Sequence, residues 1–299
     1  MRLSEATLVL PAARSALPER VRTGLVRAGL LAPALSLLLP LLVACGLLVR
    51  YSFNGWDPTR TMYAAWTLDN YRAVLGDPFY RGVLWNTLQI GAIVTGAALA
   101  LAYPVAYAIA AARRRQALVV LVVVPLWMDV LIRAYGWIVL LSRGGLVNTL
   151  LLRLQVVEAP VRFLATPLAV VLELLHEVLP FMILTLASIL QRIDPALREA
   201  AMNLGAGPLA AFWRVTLPLS LPGVLASTML TFSLAISAFA GPLILGGGRV
   251  PVMSLIINQQ MTYGLNWPLG SAEAVTLMAL VLTLLYLYSL VVRRLPAAT

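Results

Sequence analysis

Six runs of apolar residues, each long enough to cross the hydrocarbon core of a bilayer, leave this chain few folds to choose from. They lie at about 28–49, 84–110, 117–141, 167–190, 223–245 and 273–292. A helix rises 1.5 Å per residue, so a core of ~30 Å takes about 20 residues, and all six runs qualify. Lipid offers the backbone no hydrogen bonds, so only helices or closed barrels can span it. The two-residue alternation of a barrel strand is missing from these runs. An all-α integral membrane fold with six transmembrane helices follows. It forms one transmembrane domain over 28–299, behind a short amino-terminal segment at 1–27. Composition agrees: only 11% of residues are charged, where a soluble domain carries ~25%.

The sparse charges set the expected orientation. There is no lysine, so every strong base is arginine. Arg2, Arg14, Arg20, Arg22 and Arg27 precede the first span, Arg113, Arg114 and Arg115 crowd the tight connection between spans two and three, and Arg293 and Arg294 follow the last span. Short basic loops remain in the cytoplasm. Both termini and the loop at 191–222 are therefore expected to face the cytoplasm of a bacterial inner membrane. Arg60, Arg72 and Arg81 occupy outer loops that are longer and less densely basic. On this reading the net charge of +10 reflects membrane orientation and not nucleic-acid binding.

Several chemistries are excluded by what the chain lacks. Without lysine there is neither a phosphate-loop lysine nor a Schiff base. Cys45 and His176 are the only residues of their types, so no internal disulfide and no cysteine or multi-histidine metal cluster can form. The stretch Leu42-Val43-Ala44-Cys45 imitates a lipoprotein cleavage box, yet it lies near the far end of a full-length span with five more to follow. The first run is also too long for a cleaved secretory signal. Gly246-Gly247-Gly248 reads as a flexible turn at the outer end of span five, and no nucleophile-elbow motif accompanies His176. Nothing here hydrolyses ATP.

Between spans four and five lies a loop whose residues specify a capped helical hairpin. Asp194 suits an N-cap and Pro195 the first helical position. Gly205 stands where a left-handed C-terminal cap is wanted. Gly207-Pro208 restarts a second short helix, which Pro218 and Pro222 are expected to end. A helix, a glycine and a second helix also suit a DNA-binding helix-turn-helix, but the flanking membrane spans exclude that use.

Within the loop, Glu199-Ala200-Ala201, Gly205, Val215 and Leu217-Pro218 keep the spacing Glu-Ala-Ala, three residues, Gly, nine residues, an aliphatic residue, one residue, Leu-Pro. This pattern resembles the cytoplasmic loop of ABC importer permeases, with Val215 where isoleucine is more usual. Further runs carry the resemblance from about residue 67 onward. They are Tyr103-Pro104-Val105-Ala106-Tyr107, Pro125-Leu126-Trp127, Arg133-Ala134-Tyr135-Gly136-Trp137, Gly145-Leu146-Val147-Asn148, Leu179-Pro180-Phe181-Met182 and Trp267-Pro268-Leu269-Gly270. Together they resemble the first permease of spermidine/putrescine-type importers, whose wider group also carries opines, phosphonates and other small organic solutes.

The resemblance implies a type I importer permease with coupling helices built from Glu199, Ala200, Ala201, Gly205, Val215, Leu217 and Pro218. It implies two ATP-binding partner subunits that hold ATP and magnesium, a second homologous permease, and an external solute-binding protein. The chain itself would be non-catalytic, hold no cofactor and form half of a solute path by alternating access. The resemblance leaves the solute open, with a polyamine first in order.

Four charges within the spans are candidates for that path: Asp129 and Arg133 on span three, and Glu173 and Glu177 on span four beside His176. Residues four apart share a helical face. Helical rise places Asp129 and Glu177 near the midplane, with Arg133 and Glu173 roughly 6–8 Å further out. An intramembrane ion costs at least ~2.5–3.5 kcal/mol unless paired or wetted. Either Arg133 braces the helices by pairing with Asp129 or Glu173, or the excess carboxylates give the solute path a negative potential suited to an amine cation. A secondary transporter or channel using the carboxylates as a relay is the chief rival, but it leaves the capped hairpin without a use. A membrane enzyme lacks a convergent catalytic set.

Overall fold

The computed structural model describes residues 19–294, with side chains described over 33–290. The basic side chains expected to orient both termini, from Arg2 to Arg27 and at Arg293 and Arg294, lie outside the described side chains. The chain divides into two units at the junction of Arg50 and Tyr51. The first is the long helix α1 (Glu19–Tyr51), whose stretch Pro33–Tyr51 is apolar and long enough to cross a membrane.

The second unit begins with a short antiparallel ribbon, β1 (Gly55–Asp57) and β2 (Thr61–Tyr63), in which Trp56 faces Met62. Then follow α2 (Asp69–Gly76), α3 (Pro78–Ala111), α4 (Arg115–Val123), α5 (Val130–Leu141), α6 (Leu146–Arg153) and α7 (Pro167–Leu190). After these come α8 (Pro195–Asn203), α9 (Pro208–Ala211), α10 (Leu217–Ser237), α11 (Ala240–Gly246), α12 (Met253–Thr262) and α13 (Trp267–Arg294). Among the described residues, six helical stretches are long and apolar enough to span a bilayer.

The centre of this unit is a bundle of α3, α7 and α10. Its seam is set by a period of four: Ile90, Val94, Ala98, Ala102 and Ala106 on α3 face Val170, Leu174, Val178, Met182, Leu186 and Leu190 on α7, all buried. Residues four apart form a ridge along a helix. The alanines let the α3 backbone come close to the larger α7 side chains, which is how helices pack where lipid supplies no hydrophobic drive.

Two spans differ from the lengths expected of them, and proline explains both. Span three is not one helix over 117–141. It breaks after α4 into a tight 3₁₀ turn, Val124–Trp127, followed by extended backbone at Met128 and Asp129 before α5 starts. Pro125 has no N–H to continue the ladder, and the Asp129 carboxylate accepts the Leu131 N–H at 2.8 Å, capping the new helix. Span five is likewise interrupted at Ala238 and Phe239. A helix running through would require the Pro242 nitrogen to donate to the Ala238 carbonyl, which proline cannot do. Ser254 Oγ donates to that carbonyl instead, at 2.7 Å.

The start of span five also lies earlier than expected, because Pro218 and Pro222 do not end the second hairpin helix. The helical path runs from Pro208 to Ser237, through one wide π-helical turn at Phe212–Thr216 in which the Leu217 N–H reaches back to the Phe212 carbonyl. The wide turn makes room for the Pro218 ring, which would otherwise collide with the preceding turn.

Candidate functional site

The hairpin begins where α7 ends. Asp194 accepts the Ala196 N–H at 2.9 Å with its carboxylate, and Pro195 opens α8. At the other end Gly205 has φ of +90°. The Ala206 N–H bonds the Ala201 carbonyl at 3.1 Å, and the Gly205 N–H bonds that of Met202 at 3.0 Å. This crossed pair is a Schellman closure, which requires a residue with positive φ at the reversal.

Gly207 and Pro208 then start α9. The second arm is tied to α3 by rings: Phe212 packs edge-on against Tyr103 and Tyr107, with centroids 5.7 and 5.8 Å away. Tyr103 also shares a hydrogen bond with Ser220, 2.8 Å apart. These two tyrosines thus clamp the hairpin, a role the sequence reading did not assign to them.

The hairpin leaves much apolar surface uncovered. Leu204 is 90% exposed, and Leu197, Met202, Leu209 and Trp213 are exposed as well, around Glu199 and Ala200. Val215 is half-buried. Exposed apolar patches of this kind mark sites of association.

The charged cluster is arranged differently from its expected form. Asp129 does not share a helical face with Arg133: it caps α5, is exposed, and makes no ion pair with that arginine. The extended backbone at Met128 and Asp129 removes the helical register on which the four-residue spacing relied. Arg133 instead reaches α7, where its Nε lies 3.3 Å from Glu173 Oε1 and its Nη2 lies 3.0 Å from Glu177 Oε2. Arg133 and Glu173 are buried, at 8% and 0% exposure, whereas the Glu177 side chain is 32% exposed.

Glu173 Oε2 has no hydrogen-bond partner and abuts Gly241 on α11. Beside the cluster, Trp137 Nε1 donates to His176 Nδ1 at 3.2 Å, a second link between α5 and α7. The arginine therefore joins a broken span to a central one, and one carboxylate remains in excess.

The sequence reading also passed over Glu273, near the start of α13. It is fully buried and neither carboxylate oxygen has a partner. Its one signal in sequence is its place as a lone acid within the last span.

Comparison with known proteins gives a consistent result. The family model described as "Binding-protein-dependent transport system inner membrane component" matches residues 9–296. The spermidine/putrescine transport system permease protein PotB of Haemophilus influenzae is 36% identical over 244 residues, covering 81% of this chain and 85% of that protein. PotB of Escherichia coli shows the same identity and covers 88% of its own length. The inner membrane ABC transporter permease protein YdcU of Escherichia coli is 32% identical, over 79% of this chain and 78% of that one. Among solved structures, a chain of a bacterial alginate ABC transporter, in complex with an alginate pentasaccharide-bound periplasmic protein, superposes with a TM-score of 0.76 at 18% identity. That match covers 94% of this chain and 98% of the other, and at such identity it speaks to the fold.

Proposed function

The chain belongs to the family of inner membrane components of binding-protein-dependent transport systems, and from that premise we propose that it forms half of the solute path of a polyamine importer. It is a multi-pass permease of the ABC importer class. On our reading it hydrolyses no ATP. Two ATPase subunits dock on hairpins of this type, one of them on α8 and α9 of this chain, with ATP and magnesium held by those partners. A second, similar permease completes the path, and an external binding protein delivers the solute.

The observation that carries this reading is the hairpin itself, whose Schellman-closed reversal holds Leu204 and its apolar neighbours out of the membrane bundle. Both termini and the hairpin lie on the cytoplasmic side. Closure of the ATPases around ATP displaces the hairpins, and the spans reorient to alternate access.

Polyamine as the solute is supported by the relatives' names and by the charge balance of the cluster. Arg133 braces α5 against α7 by pairing with both Glu173 and Glu177, and the carboxylate in excess there, with the exposed Asp129, lends the path a negative potential. The test is ATP-dependent uptake of labelled spermidine and putrescine by the complete importer in proteoliposomes, with unlabelled polyamine, opines and phosphonates as separate competitors. Uptake abolished by the amine competitor alone is the expected result. Uptake of an anionic solute, with amines without effect, would replace the polyamine assignment.

A further inference from the structure

Helix α4 leaves the arginine turn with one face packed and the other bare. Val119 and Val122 lie against the core of the central bundle. Leu118, Leu121 and Val124, each three residues from the next, are exposed together with Val120. Residues three apart share a helical face, so these side chains form an apolar stripe. From Arg115 to Val124 it extends roughly 14 Å at 1.5 Å per residue, the depth of about one leaflet of a ~30 Å hydrocarbon core.

At the polar end of the stripe the chain turns through Arg113, Arg114 and Arg115, all exposed. With Gln116 and Ala117 they border a recess of about 460 Å³. Among the described residues none of the three arginines makes an ion pair. The sequence holds no acid between Asp77 and Asp129. Asp194 borders a second cavity with Ala110 and Ala111, but it spends its carboxylate on the cap of α8. Two helix ends meet at the turn with opposite partial charges: the last carbonyls of α3, and the first amides of α4, which Arg114 leaves without a side-chain cap. They offset one another, and the three formal charges decide the sign.

We infer that the turn and α4 together hold one anionic phospholipid, its phosphate among Arg113, Arg114 and Arg115 and an acyl chain along Leu118, Leu121 and Val124. Guanidinium groups donate paired hydrogen bonds to phosphate oxygens, and basic pockets at the membrane surface take up such headgroups. A free phosphate would use the arginines and leave the stripe bare. A lipid without net charge would bring its own cation to the arginines. An anionic phospholipid satisfies both halves of the site. Helix α4 packs on α3 and on α7, so a lipid held there steadies the joint between two central spans. The inference does not depend on the identity of the solute.

The test uses the complete wild-type importer in nanodiscs, with phosphatidylglycerol or phosphatidylcholine carrying a diazirine on one acyl chain. Photolysis should label residues 113–127 from phosphatidylglycerol at least about fivefold more than from phosphatidylcholine. Equal labelling by the two lipids would overturn the proposal. So would the absence of label from this segment, which is the result if another subunit covers the stripe. The preference should survive added inorganic phosphate as well as it survives chloride of equal ionic strength. Its selective loss in phosphate would assign the recess to the free anion instead. Arg113→Gln combined with Arg114→Gln should remove most of the preference, with insertion checked by maleimide labelling of Asp77→Cys. An unchanged preference in a correctly inserted variant would sink the arginine site. The comparison of lipids on the wild type decides the matter even if that variant inserts wrongly.

Discussion

Glu173 Oε2 fills the space in which a side chain on residue 241 would begin, so α7 and α11 meet at a point that only Gly241 permits. The other oxygen of the same carboxyl is bound by Arg133. One side chain thus sets the separation of three helices: α5 through a charge, α7 through its own backbone, and α11 through the absence of a β-carbon.

Substitution of Gly241 should therefore be costly despite its small size. Gly241→Ala drives a methyl group into the carboxyl, and overpacking of this kind costs about 1–3 kcal/mol. Thermal unfolding of the detergent-solubilised complex is expected to show the loss. Glu173→Ala in the same chain should recover part of it, because the two positions share one space and their effects are not additive.

Removing the arginine tests the brace. Arg133→Met leaves Glu173 buried with no cation, and breaking a buried pair from one side costs about 3–5 kcal/mol. The folded yield should fall sharply in size-exclusion profiles. Combining Arg133→Met with Glu173→Gln and Glu177→Gln removes the stranded charges and should restore much of that yield. Unchanged yield for the single variant would show that the ion pair braces nothing.

Orientation is open to a direct chemical test in a Cys45→Ser background. A cysteine placed within 113–116 should react with impermeant maleimide only from the cytoplasmic side. One placed at Asp77, the cap at the start of α3, should react only from outside. The reverse pattern would move the hairpin to the wrong side for an ATPase.

At the hairpin, Gly205→Val places a β-carbon on a backbone with φ of +90°, at a cost of ~1 kcal/mol or more. No neighbouring atom crowds the position, so the penalty is conformational and confined to the reversal. Gly205→Val and Glu199→Lys should leave the subunit inserted and stable. Both should reduce co-purification of the ATPase and solute-stimulated ATP hydrolysis. Wild-type behaviour in both assays would remove the hairpin from the coupling path.

How far the sequence disclosed this molecule depends on whether the controlling interaction was local. Span existence was legible because length and hydropathy are properties of a single stretch. So were the hairpin's caps: Asp194, Pro195, Gly205, Gly207 and Pro208 act within a few residues of where they stand. The breaks in spans three and five were not, although Pro125 and Pro242 are visible. Membrane helices accommodate other prolines, as α3 does Pro104 and α7 does Pro180. In span five the carbonyl that Pro242 cannot bond is taken up by a hydroxyl sixteen residues away, on Ser254.

The choice of Arg133's partners failed to show for a related reason. The spacing from Asp129 holds only on unbroken helix, and Asp129 uses its carboxylate to begin one. The clamp of Tyr103 and Tyr107 on Phe212 joins residues more than a hundred positions apart, beyond the reach of any local pattern.

The two arms of the hairpin are joined to the bundle in unlike ways. The first hangs from α7 by the short non-helical link Gln191–Asp194, a pivot about which α8 can turn. The second has no such link, because the π turn carries it without interruption into α10. From Pro208 to Ser237 the path is thirty residues, a rod of roughly 45 Å at 1.5 Å per residue, clamped near one end by the tyrosines of α3. A push on its exposed tip, transverse to its axis, is therefore delivered as a tilt about a fulcrum at Phe212. The long arm of that lever ends at Ser237, so a small stroke at the short arm produces a larger one there.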